Sequence, residues 1–181
     1  MFQNLAKYFR RDVSHFCAAR NGATAVEFAL IAPAFLATLF AVLESTLFLF
    51  AQADLQNAAM AAGRLFMTGQ AQNAGTTESQ FQNEICPMIS PLFTCSKLMV
   101  NVSAYTGFST ASASAPSLTF NSSGAVTNSW SYTSGTPGQV MVVQLIYQWP
   151  IVSGPFGYVL PNISNGTTEM MGVSAFRVEP Y

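Results

Sequence analysis

The sequence predicts an α+β chain. A long N-terminal membrane-spanning helix continues into a small extracytoplasmic domain built on an antiparallel sheet. Three observations carry this expectation. The stretch Ala23–Ala53 holds only two charges, Glu27 and Glu44. Strong helix formers continue past it, from Asp54 to Phe66. Three later stretches then show strand patterning, at Leu98–Tyr105, Gln139–Trp149 and Thr168–Val178.

Composition agrees. At 181 residues the chain suits one domain and an appendage. Charged residues make up 8% of it, against roughly 25% in a typical soluble chain. Residues 1–22 carry Lys7, Arg10, Arg11 and Arg20 against Asp12, a net of +3. Residues 23–181 carry Arg64, Lys97 and Arg177 against seven acidic residues, a net of −4. Three basic residues over that length cannot neutralise a phosphate backbone, so nucleic acid is excluded as a partner.

The basic leader, residues 1–22, comes first. Phe28–Leu43 follows as an uncharged stretch of sixteen residues. At about 1.5 Å per residue it spans about 24 Å, so crossing a ~30 Å hydrocarbon core also needs Ser45–Phe50. Lys and Arg before the span and Asp54 after it place the N-terminus in the cytoplasm and the later residues outside. The apolar run is longer than the h-region of a secretory signal, although Ala51-Gln52-Ala53 has the small-x-small form of a cleavage site. Pro33 lies inside the helix and removes the hydrogen bond to the Ala29 carbonyl, which predicts a bend. Glu44 is seventeen residues from Glu27, on a different helix face. It either contacts a partner helix or assembly protein, or snorkels at the outer interface.

Beyond the span, Leu55, Ala58, Ala59, Ala62 and Phe66 recur at helical spacing, so one helix is expected over 24–67. The polar stretch Thr68–Thr77, with Gly69 and Gly75, ends it, and a shorter helix follows over Glu78–Ile89. Domain boundaries are therefore expected at 1–22, 23–67 and 68–181.

Cys86 and Cys95 bracket a short loop with Pro87 and Pro91. In an oxidising exterior they form a disulfide candidate, with Cys17 left on the other side of the membrane. Leu98–Tyr105 alternates with period two. Residues 106–139 are Ser, Thr, Gly, Asn and Ala rich and uncharged, a surface excursion with a short hairpin around Asn121–Trp130. Gln139–Trp149 is nearly continuously apolar, which implies burial on both faces. Pro150–Gly166 reads as irregular, with Phe156, Tyr158 and Leu160 facing the bilayer or a partner. Sequons begin at Asn101, Asn121, Asn162 and Asn165, as expected by chance in a Ser/Thr/Asn-rich chain.

The junction itself reads Arg20-Asn21-Gly22-Ala23-Thr24-Ala25-Val26-Glu27-Phe28. A basic leader, a Gly, a Glu five residues later and a long apolar helix resemble the processing site of the type IV pilin superfamily. The fuller run Gly22–Pro33 resembles the TadE-like proteins, minor pilins or pseudopilins of the bacterial tight-adherence (Tad/Flp) pilus. Tyr147-Gln148-Trp149-Pro150 and Arg177-Val178-Glu179-Pro180 resemble the same family, and residues 70–135 show no specific match. The helix-then-sheet order also resembles the pilin plan.

The resemblance implies cleavage between Gly22 and Ala23 by a membrane prepilin peptidase. It implies partnership with other pilin and pseudopilin subunits and with the assembly platform in the bacterial inner membrane. A new amine at Ala23 would be positive, and a lone charge at membrane depth is costly, so Glu27 is a partner for it on a neighbouring subunit. Its other reading is an interfacial residue that reaches the headgroups. Two further functional readings remain: an uncleaved membrane scaffold or adaptor of the secretion machinery, and a secreted adhesin cleaved after Ala53. Enzymatic activity is not expected. His15, the only histidine, lies in the leader, and no nucleophile–base arrangement, phosphate loop, cofactor motif or metal-ligand cluster is legible.

Overall fold

The computed structural model describes residues 22–89, 91–113, 115–151 and 166–180. The leader 1–21, including His15 and Cys17, lies outside the described residues. So does 152–165, with Phe156, Tyr158, Leu160 and the sequons at Asn162 and Asn165. The chain divides into two compact units, Met1–Leu43 and Glu44–Tyr181.

In the first unit the described residues belong to helix α1, Ala23–Met67, which begins directly after Gly22. Val26, Phe28, Leu30, Ile31 and Phe35 are all exposed. A helix that presents apolar side chains on every face has no aqueous resting place. It is long and apolar enough to cross a membrane.

The second unit has its own core. There α1 turns a face of mostly small residues inward: Ala51, Leu55, Ala58, Ala59, Ala62, Gly63 and Phe66 are buried. A turn of left-handed backbone at Gly69 (φ 75°) ends the helix, with the Gly69 amide bonded to the Phe66 carbonyl at 3.2 Å. The Glu179 amide, from the far end of the chain, donates to the Met67 carbonyl at 3.1 Å and satisfies another end group.

After a single turn, α2 (Gln70–Asn73), helix α3 spans Glu78–Ile89. Its start is a reciprocal cap. The Thr77 amide donates to Gln80 Oε1 at 2.9 Å, and the Gln80 amide lies 3.4 Å from Thr77 Oγ1. Phe81, Ile85 and Ile89, one turn apart, form its buried stripe. Pro87 sits within the last turn of α3, so the Cys86–Cys95 segment starts inside the helix expected over Glu78–Ile89.

The sheet has three strands in the order β1 (Met99–Tyr105), β2 (Val140–Pro150), β3 (Thr167–Arg177), both pairings antiparallel. In register, Val102 faces Val143, and Leu145 faces Gly172. Central strand β2 is buried along nearly its whole length, as its nearly continuous apolar run predicts. Helix and sheet meet closely. A Cβ at Gly172 would lie 2.5 Å from the Leu55 carbonyl oxygen, and one at Gly63 would collide with the Ser174 side chain. Glycine is needed at these two points because backbone passes against backbone or side chain there. The long segment between β1 and β2 holds an antiparallel bridge, Phe120–Val126, where a hairpin was expected.

Candidate functional site

The candidate residues fall on two regions, each within one unit. In the first unit, Gly22 is exposed, and a Cβ placed there would meet nothing within 4 Å. The bond between Gly22 and Ala23 thus lies at the mouth of a helix with open space around it. Glu27 is exposed one turn beyond Ala23, the i,i+4 spacing that puts two positions on one helix face. Pro33 is exposed within α1, which continues through it. The Thr38 hydroxyl donates to the Ala34 carbonyl at 3.0 Å, a bond common to hydroxyls in apolar helices.

Glu44 belongs to the second unit and is half-buried. Further along α1 the helix is locked to β3 by side chains. Gln52 Nε2 donates to the Met171 carbonyl at 2.8 Å. Gln56 makes two bonds with Val173, Nε2 to the carbonyl at 2.7 Å and Oε1 from the amide at 2.9 Å. Gln56 therefore occupies the free edge of β3 as a single residue of a neighbouring strand would. The opposite edge is covered too: the Val102 amide donates to the Ser131 carbonyl at 2.7 Å, and the Thr133 amide to the Val102 carbonyl at 3.1 Å. Ala51-Gln52-Ala53 is thus part of a packed helix, with Ala51 fully buried.

Cys86 and Cys95 are joined by a disulfide, their Cα atoms 5.6 Å apart. It ties the end of α3 to the 3-10 turn Cys95–Lys97. Gln82 Nε2 reinforces the tie by donating to the Cys95 carbonyl at 3.1 Å and the Leu98 carbonyl at 2.8 Å.

Residues 22–64 match the family described as TadE-like protein. That stretch of the chain is similar to TadE-like proteins. The match starts at Gly22, takes in Glu27, Pro33 and Glu44, and ends within α1, so the sheet lies outside it. No curated protein and no solved structure matches the chain.

Several residues outside the TadE-like stretch were not legible as functional in sequence. Tyr132 packs against the touching pair Phe66 and Phe81, with ring centroids 6.1 and 5.7 Å away, and its hydroxyl donates to the Thr76 carbonyl at 3.0 Å. Burial, and then the nearby Glu78 and Glu84 carboxylates, push its phenol up to about 12. Burial also raises the Glu169 carboxyl above its ordinary value, and its Oε1 is buried without a hydrogen-bond partner. Asn101, a sequon residue, spends its Nδ2 on Gln144 Oε1 at 2.7 Å within the sheet. Among the described residues no group of His, Cys, Asp and Glu is arranged to hold a metal ion.

Proposed function

We propose that the protein is a structural or assembly component of a bacterial tight-adherence pilus, a minor pilin or pseudopilin anchored in the inner membrane by α1. The observation that carries this reading is the TadE-like match over residues 22–64, which begins at the exposed glycine where the apolar helix starts. A prepilin peptidase cuts after Gly22 on the cytoplasmic side, and Ala23 becomes the N-terminus. Glu27 neutralises that amine on a neighbouring subunit and sets axial register. The role is one of packing and assembly, without catalysis.

The topology proposed with it is single-pass, with the basic leader inside and the residues after about Asp54 outside. A disulfide between Cys86 and Cys95 suits an oxidising exterior. The secreted alternative is disfavoured by packing. A cut after Ala53 would remove Ala51 from the core and Gln52 from its bond to Met171.

Intact-mass measurement and N-terminal sequencing of membrane and sheared-fibre fractions test the reading. Expression with the matching peptidase is expected to give a chain starting at Ala23, and without it the full-length chain. Full-length protein confined to the membrane despite active peptidase would establish the uncleaved scaffold instead. A chain starting after Ala53 would overturn the anchor.

A further inference from the structure

We propose that a cavity at the end of the sheet binds a short saccharide bearing a carboxylate. The cavity lies where β1 begins, β2 ends and β3 begins, outside the TadE-like stretch, and the proposal stands apart from the pilus reading. Its volume of about 580 Å³ is of the size that holds small ligands. Trp130, Tyr147, Trp149, Lys97, Gln148 and Met99 line it.

The aromatic wall is preorganised. Phe93 stands edge-on to Tyr147, with centroids 4.9 Å apart and planes at 89°, and lies 5.8 Å from Trp149. The Tyr147 hydroxyl accepts a hydrogen bond from the Thr94 amide at 3.2 Å. Tyr147 and Trp149 are thus fixed in the core and nearly fully buried, so the half-exposed Trp130 supplies the accessible ring face. Such a face, electron-rich and flat, suits the weakly positive C–H face of a pyranose ring.

The polar groups narrow the ligand class. Gln148 is half-buried, Lys97 is exposed, and neither side chain makes a hydrogen bond or ion pair among the described residues. A wholly apolar ligand would strip water from both without replacing it. The Gln148 amide offers a donor and an acceptor together, as vicinal hydroxyls require. Lys97 is the only basic residue between Arg64 and Arg177, and Leu98–Thr168 carries no charge. One ammonium among otherwise uncharged lining residues matches one carboxylate and falls short of a polyphosphate. The sheet edges are already occupied at Val173 by Gln56 and at Val102 by residues 131 and 133, which works against a peptide adding itself as a strand.

The chain contains two tryptophans and both line the cavity, so intrinsic fluorescence reports on this site alone. The full chain in detergent micelles is screened on an array of uronic-acid-bearing, sialylated and neutral glycans. The best glycan is then titrated by tryptophan fluorescence. Binding of carboxylate-bearing glycans with a saturable fluorescence change is expected. Trp130→Ala should weaken it by about tenfold or more, as loss of a central aromatic anchor does. Lys97→Ala, at an exposed position where folding is not at risk, should lose about fivefold for the acidic glycan and nothing for its neutral analogue. Absence of any glycan binding, equal affinity for acidic and neutral glycans, or binding unchanged in both variants would overturn the proposal.

Discussion

Glu169 and Tyr132 show how single side chains acquire properties that their own chemistry does not supply. Burial raises the Glu169 carboxyl above its ordinary 4.5 and leaves Oε1 without a partner. The folded state therefore holds this proton more tightly than the unfolded state. Its contribution to stability is fully present below about pH 4.5 and is lost as pH rises through the folded value. Glu169→Gln is expected to raise the denaturation midpoint at pH 7, with the gain vanishing below pH 4.5; chemical denaturation at the two pH values measures it. Tyr132 behaves in the same sense at the alkaline end. Its raised value of about 12 means that the folded state resists ionisation, and stability falls as pH rises from 10 through 12. Tyr132→Phe keeps the ring packing and removes the bond to Thr76, and should cost about 1 kcal/mol in denaturant unfolding.

At the scale of elements, the decisive contacts join α1 to β3. The small face of Ala58, Ala59, Ala62 and Gly63 lets the strand approach, and Gly172 meets the helix backbone with no side chain between them. Gly172→Val should destabilise the second unit by about 1–3 kcal/mol, because neither the Leu55 carbonyl nor the Ala59 methyl can yield without moving the helix. Gln56 protects an edge as well as adding stability. Gln56→Ala would expose the Val173 amide and carbonyl, and should cost about 1–3 kcal/mol and promote self-association visible by light scattering. The Cys86–Cys95 bridge closes a loop of nine residues' separation, for which the chain-entropy model gives about 2.5–3 kcal/mol. Reduction should lower the unfolding midpoint accordingly, and thiol counting on the folded protein should find neither cysteine reactive.

Taken whole, the molecule combines a helix end that suits lipid with a unit that is poor in charge between Leu98 and Thr168. On the proposed pilus role, the exposed carboxylate one turn from Ala23 is the residue on which assembly turns. Glu27→Ala is expected to abolish or sharply reduce sheared-fibre yield while leaving processing at Gly22 intact by mass. Normal piliation in that variant would remove Glu27 from the mechanism. The charge-poor stretch Leu98–Thr168 gains a local meaning beside this. It leaves Lys97 as the lone cation on a wall of the cavity, where its field is not cancelled by other lining residues.

Sequence alone determined what contiguous residues decide. Partition between water and lipid acts on runs, so Phe28–Leu43 declared a membrane-competent helix. The period of apolar residues marked α3 at its observed ends and each strand to within one or two residues. The pattern Gly22–Pro33 carried the TadE-like resemblance, and two cysteines nine apart carried the disulfide. The tertiary structure decided everything that depends on distant residues meeting. Gln52 and Gln56 read as polar helix positions until folding brings them to Met171 and Val173, 119 and 117 residues away. In sequence Trp130 is only the end of an expected hairpin and Lys97 only a charge to be counted, and the end of the sheet gathers them around one cavity. A local pattern records which face must leave water, whereas which partner waits there is set only when loop closure and packing bring remote strands and helices into contact.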